Sequence, residues 1–229
     1  MKIALLVCDH VADEYVDDYG TYFEMFSRLL PNVEIEPYFI IDYFFPEVDD
    51  YDAFICTGSK FSVYDSEPWL PHLLALIREI NVKEKKFIGV CFGHQALALA
   101  LGGTVEKTDI GYLIGIHEFL IREKQTWMTN EKVYKILMLC QDQVKLLPKR
   151  GVVLASSEEC PVAMFTVGNN MMGIQGHPEF SKEYNRSVFE KRLKNVASEK
   201  VQMAISSLQN DADSALIASW MHSFLLNNC

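Results

Sequence analysis

"KKFIGVCFGHQALALALGG", residues 85–103, carries the strongest structural signal in the chain. An apolar run ends at Cys91, which stands between Gly89 and Gly93, and a stretch rich in alanine and leucine follows. A short apolar run that turns at small residues into a helix-like stretch is typical of one strand–turn–helix unit of an α/β protein. The stretch therefore predicts a strand, a tight turn that carries a thiol, and a helix.

Two earlier apolar runs have the same form. They are "KIALLVC" at 2–8 and "YDAFICTG" at 51–58, and each ends in small or polar residues. Continuous apolar runs indicate strands that are buried on both faces, as in a parallel sheet covered by helices. The segments between the runs, 22–30 and 67–80, carry apolar residues at helical spacing. This alternation predicts an α/β fold with a doubly wound, mostly parallel sheet that is flanked by helices.

The second half of the chain has a different pattern. Four short apolar segments follow one another closely, at 115–122, 151–157, 161–167 and 171–176, and Gly168-Asn169-Asn170 is a turn signal between the last two. They predict a small antiparallel extension of the same sheet. From about 181 onward the sequence has helical character, with Ser181 and Asp213 as candidate N-caps. Since no linker-like or repetitive stretch interrupts residues 1–229, we expect a single domain with a helical C-terminal tail.

The composition of the chain argues against some classes of binding partner. The 229 residues carry a formal net charge of −10, which would repel a phosphate backbone or an anionic membrane surface, so we expect neither nucleic acid nor membrane as a partner. The opening apolar run is too short for a secretory signal. The longest uncharged run, 87–105, is interrupted by glycine, histidine and glutamine. The six cysteines show no CxxC spacing, which favours reduced thiols in a cytoplasmic protein without a metal site.

The Gly-x-Cys-x-Gly spacing at 89–93 is that of a nucleophile elbow with cysteine in place of serine. In such a turn, a side chain two positions before or after the nucleophile would collide with neighbouring backbone, which explains both glycines. The turn would present the sulfur of Cys91 in the crevice at the strand ends, and the helix N-terminus would favour its thiolate form. The alternative is a packed core cysteine.

A thiol nucleophile needs a base, and His177 is the best candidate among the six histidines. It follows a predicted strand in "GIQGHPEF", residues 173–180, where Pro178 fixes the backbone between the imidazole and the carboxylate of Glu179. A carboxylate at this position can orient the imidazole and stabilise its cationic form. The alternative is a surface turn in which His177 only caps a helix.

Acyl transfer also needs hydrogen-bond donors for the developing oxyanion. The amide of Phe92, directly after Cys91, is one candidate. The second is expected from a loop at a neighbouring strand end, and Gly58 in "CTGSKFSVYD", residues 56–65, leaves its backbone open to a ligand. An ordinary strand-terminating turn is the alternative interpretation of this loop.

Three segments taken together, "GVCFGHQALALALGG", "GIQGHPEF" and "FICTGS", resemble the class I glutamine amidotransferase family, which has a Cys-His-Glu triad. Within that family the chain is most similar to stand-alone members, including the γ-glutamyl peptidases of plants, and it is also similar to the glutaminase domain of GMP synthetase. The resemblance implies a flavodoxin-like fold of the class I amidotransferase type. It also implies a triad of Cys91, His177 and Glu179, with the amides of Gly58 and Phe92 holding the oxyanion.

The same resemblance implies residues that bind the substrate. Gln95 matches a family glutamine that helps to grip the amino-acid end of the substrate, and Asp142 matches a loop that shapes the glutamine pocket. Two departures concern the identity of the substrate. Cys140 stands where family members often have histidine, and the oxyanion loop has Ser59 and Lys60 where many members have glycines and a proline. Charge alone suggests that Ser59 or Lys60 favours a longer γ-glutamyl peptide that carries a carboxylate.

The implied activity is thiol-dependent hydrolysis of γ-glutamyl amide bonds through a γ-glutamyl thioester, with neither metal nor cofactor. The substrate would be glutamine, with ammonia delivered to a separate synthase subunit, or a glutathione-like γ-glutamyl peptide. The absence of a fused synthase favours the peptide. The alternative is a catalytically silent binding or regulatory protein that keeps the fold; the substitution at Cys140 favours it, and the complete set of three triad residues speaks against it.

Overall fold

The structure, a computed structural model, describes residues 1–193 and 195–226. Within these residues, nine strands form one sheet and two more form a smaller sheet. The strands are β1 (Lys2–Val7), β2 (Glu34–Phe39), β3 (Ala53–Cys56), β4 (Lys86–Val90), β5 (Thr104–Lys107), β6 (Leu113–Ile121), β7 (Val133–Cys140), β8 (Asp142–Leu146), β9 (Gly151–Ser156), β10 (Met164–Val167) and β11 (Met171–Ile174). The helices are α1 (Asp13–Tyr19), α2 (Tyr22–Leu29), α3 (Leu70–Val82), α4 (Phe92–Ala100), α5 (Lys182–Arg192), α6 (Ser198–Ser207) and α7 (Ser214–Leu226).

Parallel strands make up one half of the large sheet, whose order is β2-β1-β3-β4-β11-β10-β9-β6-β7. The first five strands are parallel to one another. The remaining four continue the sheet through antiparallel pairings. β5 and β8 pair antiparallel in the small sheet. The predicted α/β class, a doubly wound sheet flanked by helices and extended by antiparallel strands, is confirmed.

Apolar side chains on both faces of the central strands bury the sheet between two layers of helices. Along β1, Ile3 and Leu5 pack into one hydrophobic cluster together with side chains of α1, α2, α5, α6 and α7. The alternate positions, Ala4 and Leu6, pack into a second cluster against α3 and α4. Because successive side chains of a strand point to opposite faces, a run that is buried at every position needs cover on both sides.

Some strands are shorter than predicted, and other strands had no recognisable apolar pattern in the sequence. The predicted runs at 51–58 and 85–91 extend beyond β3 and β4, so Gly58 and Cys91 lie in the loops that follow. β2, β5, β7 and β8 were not predicted from the sequence. β2 lies at the sheet edge, contains Glu34, Glu36 and Pro37, and has no buried side chain, so it lacks the apolar signal of a central strand.

Helices α5, α6 and α7 follow the sheet. The Ser181 side chain accepts a hydrogen bond from the amide of Tyr184 at 3.0 Å and thus caps α5. Asp213 precedes α7, and its carboxylate accepts a hydrogen bond of 2.7 Å from the amide of Lys135 in β7. The predicted helical tail also covers 194 and 227–229, which lie outside the described residues. No helix in the described ranges combines the length and the apolar character that a membrane span requires.

The carboxyl ends of β3, β4 and β11 meet at one edge of the sheet. Cys56 of β3 is paired with Gly89 of β4, and Val90 of β4 with Ile174 of β11. Residues that directly follow these three strands therefore lie side by side. Open α/β sheets bind ligands in the crevice outside such strand ends.

Candidate active site

Cys91 occupies the turn between β4 and α4, with φ of 51° and ψ of −101°. Residues with a side chain rarely adopt a positive φ. The flanking glycines are required by close backbone contacts. A Cβ at Gly89 would lie 2.3 Å from the carbonyl oxygen of Gly93, and a Cβ at Gly93 would lie 2.4 Å from the carbonyl oxygen of Cys56. The turn therefore has the tight geometry of a nucleophile elbow.

The Cys91 side chain lines a cleft of about 730 Å³. The residue is 6% exposed and stands at the N-cap of α4, where the helix dipole favours an anion. Its Sγ atom accepts a hydrogen bond from Nε2 of Gln175 at 3.6 Å and lies 3.8 Å from the carbonyl oxygen of Leu139. The thiol is therefore packed against the protein on one side and open to the cleft on the other.

The imidazole of His177 is held by its neighbours. The backbone amide of His177 donates to the carbonyl of Leu137 at 2.8 Å. The Nδ1 atom lies 2.8 Å from Oε1 of Glu179, and the ring is stacked on that of Phe180 with the centroids 4.1 Å apart. Because the carboxylate engages Nδ1, Nε2 is the ring nitrogen that remains for the thiol of Cys91.

The three ionisable side chains are coupled electrostatically. Burial lowers the pKa of His177, but the neighbouring charges and hydrogen bonds of Cys91 and Glu179 outweigh burial and raise this pKa to about 10. The imidazole of His177 therefore favours its cationic form at neutral pH. The Glu179 side chain is fully buried, and its second oxygen, Oε2, accepts no hydrogen bond from the described residues. The imidazole is thus the main partner of this carboxylate.

The backbone of Gly58 and Phe92 lies next to Cys91 and His177. Phe92 is the first residue of α4, so its amide has no acceptor within the helix. A Cβ at Gly58 would be 2.9 Å from Cε1 of His177 and 3.7 Å from Cβ of Cys91. Any side chain at position 58 would therefore press on the imidazole, and glycine leaves that space open.

The loop after Gly58 forms hydrogen bonds with the residues that follow β1. The Ser59 hydroxyl donates to the carbonyl of Cys8 at 2.9 Å. The buried carboxylate of Asp9 accepts hydrogen bonds from the Lys60 amide at 2.9 Å and from its ammonium at 3.0 Å. A substrate carboxylate that binds Lys60 would have to compete with Asp9. Asp9 was not among the predicted site residues, although its place directly after the first buried strand was a usable signal.

The predicted substrate-binding residues Gln95 and Asp142 both line the cleft and are bonded to each other. Nε2 of Gln95 donates to the carbonyl of Asp142 at 2.8 Å and to Oε1 of Gln175 at 3.2 Å. The carboxylate of Asp142 accepts hydrogen bonds from the hydroxyls of Ser62 and Tyr64. A contact from Gln95 to a substrate would therefore use its Oε1 atom.

The structure brings the eight predicted site residues to one place. The cleft is lined by Ser59, Cys91, Phe92, Gln95, Asp142 and His177. Gly58 lies against Cys91 and His177, and Glu179 lies behind the imidazole. Gln175 is a further buried residue at the sulfur that the sequence analysis did not single out, because nothing in the sequence shows where its amide points.

Cys140, the position that the sequence resemblance marks as a departure from the family pattern, is buried and lines the same cleft. Burial raises the pKa of the Cys140 thiol, and the nearby Cys91 and Cys160 raise it further. The residue is therefore a neutral thiol at physiological pH and does not replace a histidine as a base.

Known proteins are similar to this chain over most of its length. The profile of the family described as glutamine amidotransferase class-I matches residues 17–196. Gamma-glutamyl peptidase 3 of Arabidopsis thaliana is 29% identical over 230 residues, which cover 90% of this chain and 89% of that protein. A glutamine amidotransferase-like protein of Schizosaccharomyces pombe is 29% identical over 245 residues, which cover 98% of each chain.

A solved structure has the same fold over nearly the whole length. A glutamine amidotransferase from Thermotoga maritima matches with a TM-score of 0.78 and 21% identity, over 98% of this chain and 99% of that one. The family match spans most of the chain and contains Cys91, His177 and Glu179. The resemblance predicted from the three sequence segments is thus confirmed, and the chain belongs to the class I glutamine amidotransferase family.

Proposed function

We propose that this protein is a cysteine-nucleophile amidohydrolase that cleaves γ-glutamyl amide bonds through a γ-glutamyl thioester on Cys91. One observation carries the proposal: the strained Cys91 lines the cleft beside the imidazole of His177, whose Nδ1 is bound by Glu179 at 2.8 Å. This arrangement supplies the nucleophile, the acid–base group and the orienting carboxylate that acyl transfer requires. Family membership supports the same class of reaction.

The first half-reaction starts from the thiolate–imidazolium pair. The sulfur of Cys91 attacks the γ-carbonyl carbon, and negative charge moves to the carbonyl oxygen, where the amides of Phe92 and Gly58 stabilise it. The C–N bond then breaks, and the imidazolium of His177 gives its proton to the leaving nitrogen. The raised pKa of His177 suits this step, because the proton is already on the ring at neutral pH.

The second half-reaction returns the enzyme to its starting state. The neutral imidazole of His177 takes a proton from water, and the resulting hydroxide attacks the thioester carbonyl. The same two amides stabilise the second oxyanion. Breakage of the C–S bond releases glutamate and restores the thiolate beside the imidazolium, which Glu179 stabilises throughout.

Of the two substrate classes, we favour a γ-glutamyl peptide. Two relatives from Arabidopsis thaliana, each 29% identical to this chain, are named gamma-glutamyl peptidase 3 and 5. The cleft of about 730 Å³ is of the size of sites that bind whole small molecules, and it leaves room for residues beyond the γ-glutamyl group. Free glutamine, with ammonia passed to a separate synthase subunit, is the second candidate, supported by the relative named glutamine amidotransferase-like.

Steady-state hydrolysis of glutathione, a γ-glutamyl dipeptide and glutamine tests the proposal, with dipeptide, amino acid and ammonia as the products measured. We expect kcat/KM for glutathione to exceed that for glutamine by about tenfold or more. Cys91→Ala should lose about 10³-fold or more of the activity. Cys160→Ala is the matched control, since this buried thiol does not line the cleft. Binding of these compounds without any turnover would instead indicate a catalytically silent binding protein.

A further inference from the structure

We propose that Gln175 is the hydrogen-bond donor that stabilises the thiolate of Cys91 and fixes the direction of its sulfur. The inference rests on the proposed function, in which this sulfur is the nucleophile. It assigns a task to a residue outside the triad and outside the amides expected to hold the oxyanion.

The contact between Gln175 and the sulfur is buried and direct. Gln175 is completely buried, and its Nε2 atom donates to Sγ of Cys91 at 3.6 Å. The two residues are brought together by the sheet, because the amide of Cys91 donates to the carbonyl of Ile174 at 2.9 Å. The backbone of Gln175 is itself held by a hydrogen bond of 2.9 Å to the carbonyl of Ala163. The donor therefore sits on a rigid strand end.

The orientation of the Gln175 amide is set by its other end. Its Oε1 atom accepts a hydrogen bond from Nε2 of Gln95 at 3.2 Å, so the oxygen has a donor and the NH₂ group is turned to the sulfur. Gln95 is anchored in turn, since the same Nε2 atom donates to the carbonyl of Asp142 at 2.8 Å. A chain of amide hydrogen bonds thus runs from the cleft wall through Gln95 and Gln175 to Cys91.

An N–H donor directed at Sγ of Cys91 favours the anionic form of the sulfur. Hydrogen bonds to ionised acceptors are about twice as strong as those between neutral groups, so an NH₂ group fixed against Sγ stabilises the thiolate more than the thiol. No proton leaves Gln175 at any step, because an amide N–H is not acidic enough to transfer it. The donor acts together with the imidazolium of His177, and it also restricts rotation of the sulfur away from the substrate.

Alkylation of the full-length protein by iodoacetamide, followed at the Cys91 peptide by mass spectrometry over a range of pH, tests this role without any substrate. Gln175→Met keeps the volume but removes the donor, and Gln175→Glu keeps the shape but replaces the donor with an acceptor. We expect the midpoint of the pH–rate profile to rise by about one pH unit in Gln175→Met, with alkylation about tenfold slower below the midpoint. The rise should be larger in Gln175→Glu.

The controls separate this role from a packing role. Gln143→Met removes another buried amide, whose Nε2 donates to the carbonyl of Glu159 at 2.9 Å, and should leave the profile unchanged. If Gln175→Met does not fold, Gln95→Met loosens the same amide and should move the midpoint in the same direction. A reactive Cys91 with the same profile in wild type and variants would overturn this inference alone. A wild-type Cys91 that resists alkylation at every pH would overturn the proposed function together with it.

Discussion

Two opposing effects determine the charge on His177. Burial of the ring disfavours the cation, whereas the sulfur of Cys91 and the carboxylate of Glu179 favour it and raise the pKa of His177 to about 10. The carboxylate contact measures 2.8 Å, and the ring of Phe180 stacks on the imidazole and restricts its movement. Removal of Cys91 or Glu179 should therefore let burial lower the pKa of His177.

The variant Cys91→Ala should lower the pKa of His177 from about 10 by at least about one unit, because it removes the strongest contribution that raises this pKa. NMR titration of the imidazole carbon-bound protons measures this change, with His177→Gln used for assignment. Cys160→Ala again serves as the control. An unchanged pKa of His177 in Cys91→Ala would show that no thiolate–imidazolium pair exists.

The elbow is the element that positions the sulfur, and its two glycines are required by contacts with backbone rather than with flexible side chains. A Cβ at Gly93 would lie 2.4 Å from the carbonyl oxygen of Cys56 in β3. Relief of this clash requires α4 to move away from the sheet, and Cys91 moves with it. A side chain at position 93 would therefore affect both the stability of the fold and the position of the Cys91 sulfur.

Gly93→Ala should lower the free energy of unfolding by about 2 kcal/mol or more, because tightly packed sites do not accept even one extra methyl group without backbone shifts. Gly111→Ala is the matched control. Its φ of 70° is strained for alanine, but no atom lies within 4 Å of the added Cβ, so we expect a cost of about 1 kcal/mol. Urea unfolding of both variants measures the difference, and equal stabilities would contradict the steric account of the elbow.

Buried strands are easier to predict from this sequence than exposed ones. The buried strands β1, β3 and β4 were predictable because each is apolar at nearly every position. The edge strand β2 has no buried side chain, and its mixed polar and apolar sequence is also typical of loops. The meeting of Gly58, Cys91 and His177 follows from parallel strands that end at one edge. The contact between Gln175 and the sulfur was not predictable, since it depends on the direction of one amide.

One buried histidine makes the stability of the folded protein depend on pH. His94 in α4 is completely buried, and its ring lies 4.9 Å from that of Phe165. Burial lowers the pKa of His94 to about 3, against a smaller opposing effect of the backbone at Gly173 and Val162. In the unfolded chain a histidine has a pKa of about 6.5. The contribution of neutral His94 to stability is therefore fully present above about pH 6.5 and is lost as pH falls toward 3.

Replacement of His94 by a residue that does not titrate should make the stability of the fold less sensitive to acid. Between about pH 6 and pH 4, His94→Leu should reduce the slope of the unfolding free energy against pH by about 1.4 kcal/mol per unit, the effect of one proton. The same substitution at the exposed His72 is the matched control. Denaturant unfolding at several pH values measures the slopes. Parallel curves for wild type and His94→Leu would mean that His94 is already protonated in the folded protein.

The proposed γ-glutamyl thioester on Cys91 can be tested by trapping the adduct. Wild-type protein is mixed with a γ-glutamyl peptide, quenched in acid after a few turnovers and analysed by mass spectrometry of the peptide that contains Cys91. We expect a γ-glutamyl adduct on Cys91 that forms no more slowly than product and is absent in Cys91→Ala. Continued hydrolysis by Cys91→Ala, or an adduct on another residue while Cys91 stays free, would contradict it.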